Sequence, residues 1–196
     1  MESEELFTAC LEQATMVVKQ VLPQHFANTT PDTEWNVRDL VGHMLYELSW
    51  VADIVAGKTI EEVGAAYDDL LGDEDSAEDL STLWETAASR AEQAIAGADP
   101  DETAHLSYGE VTIEEYLREA AGDQLIHAWD LGKAIGVKVE FDPAVAQEVY
   151  DNTKPKETSL RSSSLFGPEI KVAKDASIQA RLLGLFGRDS NWRPVA

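Results

Sequence analysis

Asp123 and His127 stand four residues apart, so on a helix they project from the same face, one turn above the other. A carboxylate and an imidazole placed that way can close on each other or share an ion. Burying an unpaired carboxylate is costly, which leaves a hydrogen-bonded core pair or a metal site as the two readings of this spacing. His43, from a distant part of the chain, is a third side chain of ligating type, and helical bundles build their metal sites from facing helices. Two imidazoles and one carboxylate leave coordination positions open, as a catalytic zinc-type site does and a structural one does not. The face that carries Asp123 and His127 also carries Tyr116, Ala120, Leu131 and Ala134, largely apolar and with small residues that leave room for a ligand. His25 and His105 fall in loop-like stretches and read as surface residues.

Helices must position these groups, and the chain supplies their signatures. Ser3 is a candidate cap for a first helix whose stripe of Leu6, Cys10, Ala14, Val17, Val18 and Val21 runs to Pro23. Asn36 and Asp39 form a capping-box pattern, with Trp35 and Leu40 at the two positions of a hydrophobic staple, so a second helix starts near Val37 and runs to Gly57. Ser76 and Asp79 mark a third start, with Leu80, Leu83, Trp84, Ala87, Ala91, Ala94 and Ile95 continuing to Gly97. Residues 98–111 read as turn-rich. Thr112 and Glu115 repeat the capping-box pattern and open a fourth helix to Gly136. Its second half, with Leu125, Ile126, Ala128, Trp129, Leu131, Ala134 and Ile135, has few polar positions and reads as central and buried. After an extended VKVEF piece, Asp142-Pro143 opens a fifth helix through Val149 or Tyr150. Four long helical patterns joined by loops predict an all-α, up-and-down four-helix bundle over residues 1–140, with 141–196 as a short C-terminal extension packed on it.

A formal charge of −22, from 37 acidic and 15 basic residues, argues against nucleic-acid binding, which draws its affinity from cations on phosphates. Anionic membrane surfaces are disfavoured for the same reason. The acidic runs Glu61-Glu62, Asp68-Asp69 and Asp73-Glu74-Asp75 read as a solvated face, and DDLLGDEDSAED lacks the ligand spacing of an EF-hand. No run reaches the roughly 20 apolar residues of a membrane span and the N-terminus has no signal-peptide pattern, so the expected location is cytoplasmic. Cys10 lies on the apolar stripe of the first helix and reads as core packing.

Three segments carry a family resemblance: TEWNVRDLVGHML, AAGDQLIHAWDLGKAIG and LFGPEIKVAKDASIQARLLGLFGRDSNW. They resemble the actinobacterial branch of the DinB/YfiT-like family, related to the metal-binding domain of mycothiol-dependent maleylpyruvate isomerases. The most specific signs are Trp-x-Val-Arg-Asp-Leu-x-x-His and Asp-x-x-x-His-x-Trp-Asp-Leu. The resemblance implies a four-helix bundle holding a divalent metal, often zinc or nickel, on one His of the second helix and a pair on a later helix. His43, Asp123 and His127 match those positions. Many members have a second His where this chain has Asp123, whereas isomerase-like relatives use a carboxylate. The closing LLGLFGRDSNW looks like the tail of this branch and is shorter than the separate C-terminal domain of the isomerases.

Two functions follow as expectations. One is a thiol-dependent transferase or isomerase, in which the metal activates a low-molecular-weight thiol, mycothiol by resemblance, toward a small electrophile. Glu47 and Asp130 are then candidate acceptors that orient a ligating imidazole, although Asp130 by itself reads more readily as a surface charge. Arg161, Arg181 and Arg188 are candidates for holding an anionic thiol or substrate, each also readable as a solvated or helix-terminal charge. The other function is a non-catalytic small-molecule-binding or regulatory protein of the same fold. A homodimer through an apolar helix face is compatible with both.

Overall fold

A computed structural model describes residues 1–72, 77–162 and 167–194. Helix α1 (Ser3–Val18) is capped one residue earlier than expected: Glu2 holds the cap position without a side-chain bond, and Ser3 is already helical and buried. Glu4 and Glu5 in the first turn complement the positive end of the helix instead. The helix closes at Val18, with Gln20 and Val21 making tight three-residue bonds back to Val17 and Val18. Helix α2 (Val37–Val55) starts as its capping box dictates: Asn36 Oδ1 accepts from Asp39 N at 3.0 Å and Asp39 Oδ2 accepts from Asn36 N at 3.1 Å. A one-turn helix α3 (Ile60–Val63), capped by Thr59, follows in the acidic connection.

Helix α4 (Ala77–Ile95) fits the third expected pattern, while its proposed cap, Ser76, and the Asp73-Glu74-Asp75 run lie outside the described residues. The stretch expected to be merely turn-rich contains a hairpin of β1 (Thr103–Leu106) and β2 (Gly109–Thr112), antiparallel with Thr103 opposite Thr112 and Leu106 opposite Gly109. Too short to show alternation in sequence, it is secured by burial of Ala104 and by a tight turn in which Gly109 takes φ 137°. The all-helical expectation thus holds apart from this hairpin.

Helix α5 (Ile113–Ile135) is capped by Thr112 Oγ1, which accepts from Glu115 N at 3.1 Å. The Glu115 carboxylate does not return the bond expected of a capping box but takes Lys156 Nζ at 2.6 Å. The helix ends at Gly136 in the left-handed conformation. Residues 137–141 are extended but form no strand, because the Gln179 side chain takes their backbone, donating to Val139 O at 2.9 Å and accepting from Phe141 N at 3.1 Å. Helix α6 (Pro143–Thr153), capped by Asp142, runs a turn beyond Val149; α7 (Glu157–Ser162) and α8 (Ile178–Leu185) follow.

Helix α1 packs on α5 and α4, and α2 on α4 and α5, so the four long helices close a ring. Phe7, Cys10, Leu40, Met44, Trp84 and Leu125 are fully buried inside it. Trp84, the bulkiest of them, keeps its indole N–H satisfied by donating to Thr15 Oγ1 at 2.8 Å. Helix α6 lies on α5 and carries α8. Near the end of α2, buried Asp53 joins Lys58, Tyr67 and Arg90, which ties the loop after α3 to α4. Among the described residues no helix is long and apolar enough to cross a membrane.

Candidate metal centre

The site is built where α2 faces α5. The capping box fixes the start of α2 and so sets His43 two turns in, while Asp123 and His127 come from the middle of α5 at the predicted spacing. The structure brings all three together: one ligand atom from each lies within 4.8 Å of the others. His127 Nε2 is 3.3 Å from Asp123 Oδ1 and His43 Nε2 is 3.7 Å from Asp123 Oδ2. The two imidazoles meet edge to face at 5.1 Å. Trp35, expected as half of a staple with Leu40, lies against the site, its ring 4.5 Å from His43 and 5.8 Å from His127.

Two observations test whether these residues fit an ion. Ligands each about 2.1 Å from a tetrahedral zinc stand roughly 3.4 Å apart, close to the 3.3 and 3.7 Å separations around Asp123. Asp123 Oδ2 is buried and has no hydrogen-bond partner, and 3.7 Å is too long for one from His43. A buried carboxylate oxygen left without a donor is an uncompensated cost that a cation would relieve. The donor set, two imidazole nitrogens and a carboxylate, suits zinc or nickel.

Behind these three side chains stands a second layer. Asp130 is completely buried, not a surface charge, and its Oδ2 lies 3.2 Å from His127 Nδ1. That contact makes Nδ1 the protonated nitrogen and turns Nε2 toward Asp123, the usual arrangement of a ligating imidazole. Arg188 in turn clamps Asp130, with Nε 3.1 Å from both carboxylate oxygens and Nη2 2.8 Å from Oδ2, and reaches Asp32 Oδ2 at 3.0 Å. Arg188 is therefore committed to carboxylates of the protein and not available to an anionic thiol. Arg161 is likewise used, by Glu157 at 3.0 Å and the carbonyls of Gly167 and Leu185, and Arg181 lies over the Tyr150 ring at 4.6 Å. Glu47 is half-buried on the same flank of α2; among the described residues Asp130, and not Glu47, bonds an imidazole.

Electrostatics follow from this packing. Burial alone would raise the Asp123 carboxyl, yet His127 and His43 hold it far below the ordinary carboxylate range. Burial disfavours the His127 imidazolium, but Asp123 and then Asp130 outweigh it and lift its pKa to about 10. Such a pairing suits either a proton or a metal ion at Nε2, and the two compete. The Glu47 carboxyl is raised, by burial first and by Asp123 second. Tyr116 beside it is pushed above its ordinary range by burial. The remaining imidazoles stand elsewhere: His25 Nδ1 accepts from Leu22 N at 3.2 Å in the turn before α2, and His105, on strand β1 and not in a loop, pairs with Glu110 at 3.2 Å.

Two uncharacterised proteins of Mycobacterium tuberculosis, from strains CDC 1551 / Oshkosh and ATCC 25618 / H37Rv, are each 27% identical to this chain over 133 residues, 67% of its length and 66% of theirs. No solved structure matches the chain significantly. The family described as mycothiol maleylpyruvate isomerase N-terminal domain matches residues 7–132, a span that holds His43, Asp123, His127 and Asp130 and stops short of Arg188. With well over half of its length matched, the chain belongs to the mycothiol maleylpyruvate isomerase N-terminal domain family.

Proposed function

We propose that His43, Asp123 and His127 hold one divalent ion, zinc or nickel, and that the protein is a cytoplasmic enzyme transferring or isomerising a small electrophile with a thiol of the mycothiol type. The observation that carries this reading is the orphaned Asp123 Oδ2 at the centre of three convergent ligands. A divalent ion bound there would favour the thiolate form of an incoming thiol at neutral pH. The protein's own residues do the rest. Asp130, fixed by Arg188, holds His127 in the tautomer that presents Nε2. Trp35 covers His43 on one side and limits water there. Glu47, on the same flank of α2, is the group we assign to take the thiol proton and return it to product. Residues 1–140 form the metal-binding bundle in this reading, and 141–196 an extension that braces it. A homodimer belongs to the same reading.

The experiment is metal content by mass spectrometry on untagged protein, beside His127→Ala and a Cys10→Ala control, followed by mycothiol consumption with small electrophiles. One ion per chain, lost in His127→Ala and kept in Cys10→Ala, with consumption that follows the ion, is the expected result. Protein that cannot be loaded with zinc or nickel would overturn the reading and leave Asp123 and His127 as a core hydrogen bond.

A further inference from the structure

A groove of about 620 Å³ opens at the C-terminal end of α5, between its last turns, the extended residues 137–140, the start of α8 and residues 190–194. It lies away from the metal centre, because Trp129, on its wall, is two residues from His127 and so about 200° around the helix. The walls carry the indoles of Trp129 and Trp192 and the cations Lys133, Lys138 and Arg193.

The charges indicate what the groove would hold. In a chain with 15 basic residues against 37 acidic ones, cations find carboxylates easily, as Lys58, Arg90, Lys156 and Arg188 do. Lys138 follows suit with Glu140 at 2.6 Å on the exposed rim. Among the described residues Lys133 and Arg193 make no ion pair with a carboxylate. Lys133 Nζ donates to the Ser190 carbonyl at 3.1 Å and sits 5.2 Å over the Trp129 ring. Arg193 donates to the backbone oxygens of Asn191 and Trp192 at 3.3 and 3.0 Å. Burial, and then the neighbouring Arg193, lower the Lys133 ammonium; Asp189 offsets this in part. Two cations held in one concavity, each bonded to neutral carbonyls, leave positive potential to be matched by a ligand.

We propose that this groove binds a small organic anion, a carboxylate on a flat aromatic or unsaturated body, with the carboxylate at Lys133 and Arg193 and the body against the indoles. A guanidinium and an ammonium together suit a carboxylate, and indole faces favour flat apolar groups. Inorganic phosphate would satisfy the charges and leave the indoles wet. A neutral aromatic would do the reverse.

The test is an NMR titration of the full chain with sodium benzoate at constant ionic strength, with Trp→Phe variants to assign the indole signals. Saturable shifts of the Trp129 and Trp192 indole N–H and the Gly136 amide are expected, with benzyl alcohol and inorganic phosphate each binding at least about fivefold more weakly. Lys133→Gln and Arg193→Gln should each weaken benzoate about tenfold, the size of one charge-assisted contact, while Lys138→Gln stays within about twofold of wild type. Absence of saturation overturns the proposal. So does benzoate binding that survives both Lys133→Gln and Arg193→Gln, or benzyl alcohol or phosphate binding as well as benzoate.

Discussion

Two aspartates of this protein sit between helices among cations, and they differ in what is left over. Asp53, at the end of α2, is 4% exposed and its oxygens take Lys58 at 2.7 Å, Arg90 at 2.8 Å and the Tyr67 hydroxyl. Burial alone would raise it, but Lys58, Tyr67 and Arg90 bring its pKa down to about 2. Asp123 is also held low, by two imidazoles, yet its Oδ2 is buried and bonded to nothing. A saturated carboxylate braces the fold; an unsaturated one waits for something. The Asp53 side chain is also the more buried, 5% exposed against 35% for Asp123, yet it is Asp123 that keeps an oxygen without a donor.

The widest separation between the two should come from His127→Ala. Removing one of three proposed ligands is expected to lower metal affinity by about a thousandfold or more, roughly 4 kcal/mol, read by competition with a chromophoric chelator, and to lower the urea midpoint of the metal-free protein as well, since buried His127 pairs with Asp123 and Asp130. Asp53→Ala should separate the two effects: metal affinity unchanged, and stability reduced by about 2 kcal/mol in urea unfolding, because a buried carboxylate that anchors two half-exposed cations and the Tyr67 hydroxyl is lost. If Asp53→Ala also abolished metal binding, the two clusters would be one unit. Arg188→Gln sharpens the contrast from within the site, since it leaves every ligand in place and loosens Asp130; a loss of about tenfold in metal affinity is expected.

Acid titration gives the next effect. Because the folded pKa of Asp53, about 2, lies below the roughly 3.9 of an unfolded chain, its contribution is complete above about pH 4 and disappears as pH falls through 2. Wild type should therefore lose about 2 kcal/mol over that range that Asp53→Asn does not lose, measured by urea midpoints at each pH. The smallest effect concerns Cys10. Burial pushes its thiol up to about 12, so native protein should react with a thiol reagent only as fast as it unfolds. Rapid labelling of the folded state would show that the core is not closed around α1.

The sequence made local signals plain and long-range ones invisible. The α2 capping box and the four-residue step from Asp123 to His127 are written within a few residues, and both appear where the pattern puts them. Asp130 looks like a polar residue near a helix end; only the return of Arg188, 58 residues later, makes its burial affordable. Asp53 escaped notice for the same reason, since its partners come from a loop and from α4. The hairpin at 103–112 was hidden by its brevity, two strands of four residues each giving no readable alternation. Lys133 and Arg193 share a groove because α5 ends beside residues 190–194, a proximity that no spacing encodes.

The matched family segment ends two residues after Asp130, whereas the cation that neutralises Asp130 lies near the far end of the chain. Modularity therefore stops at that carboxylate. A bundle cut after residue 140, or fitted with the tail of a relative lacking an arginine in register, would keep His43, Asp123 and His127 and leave buried Asp130 to His127 alone. In this chain the two halves of that ion pair come from segments 58 residues apart, so a graft that keeps the fold must carry both.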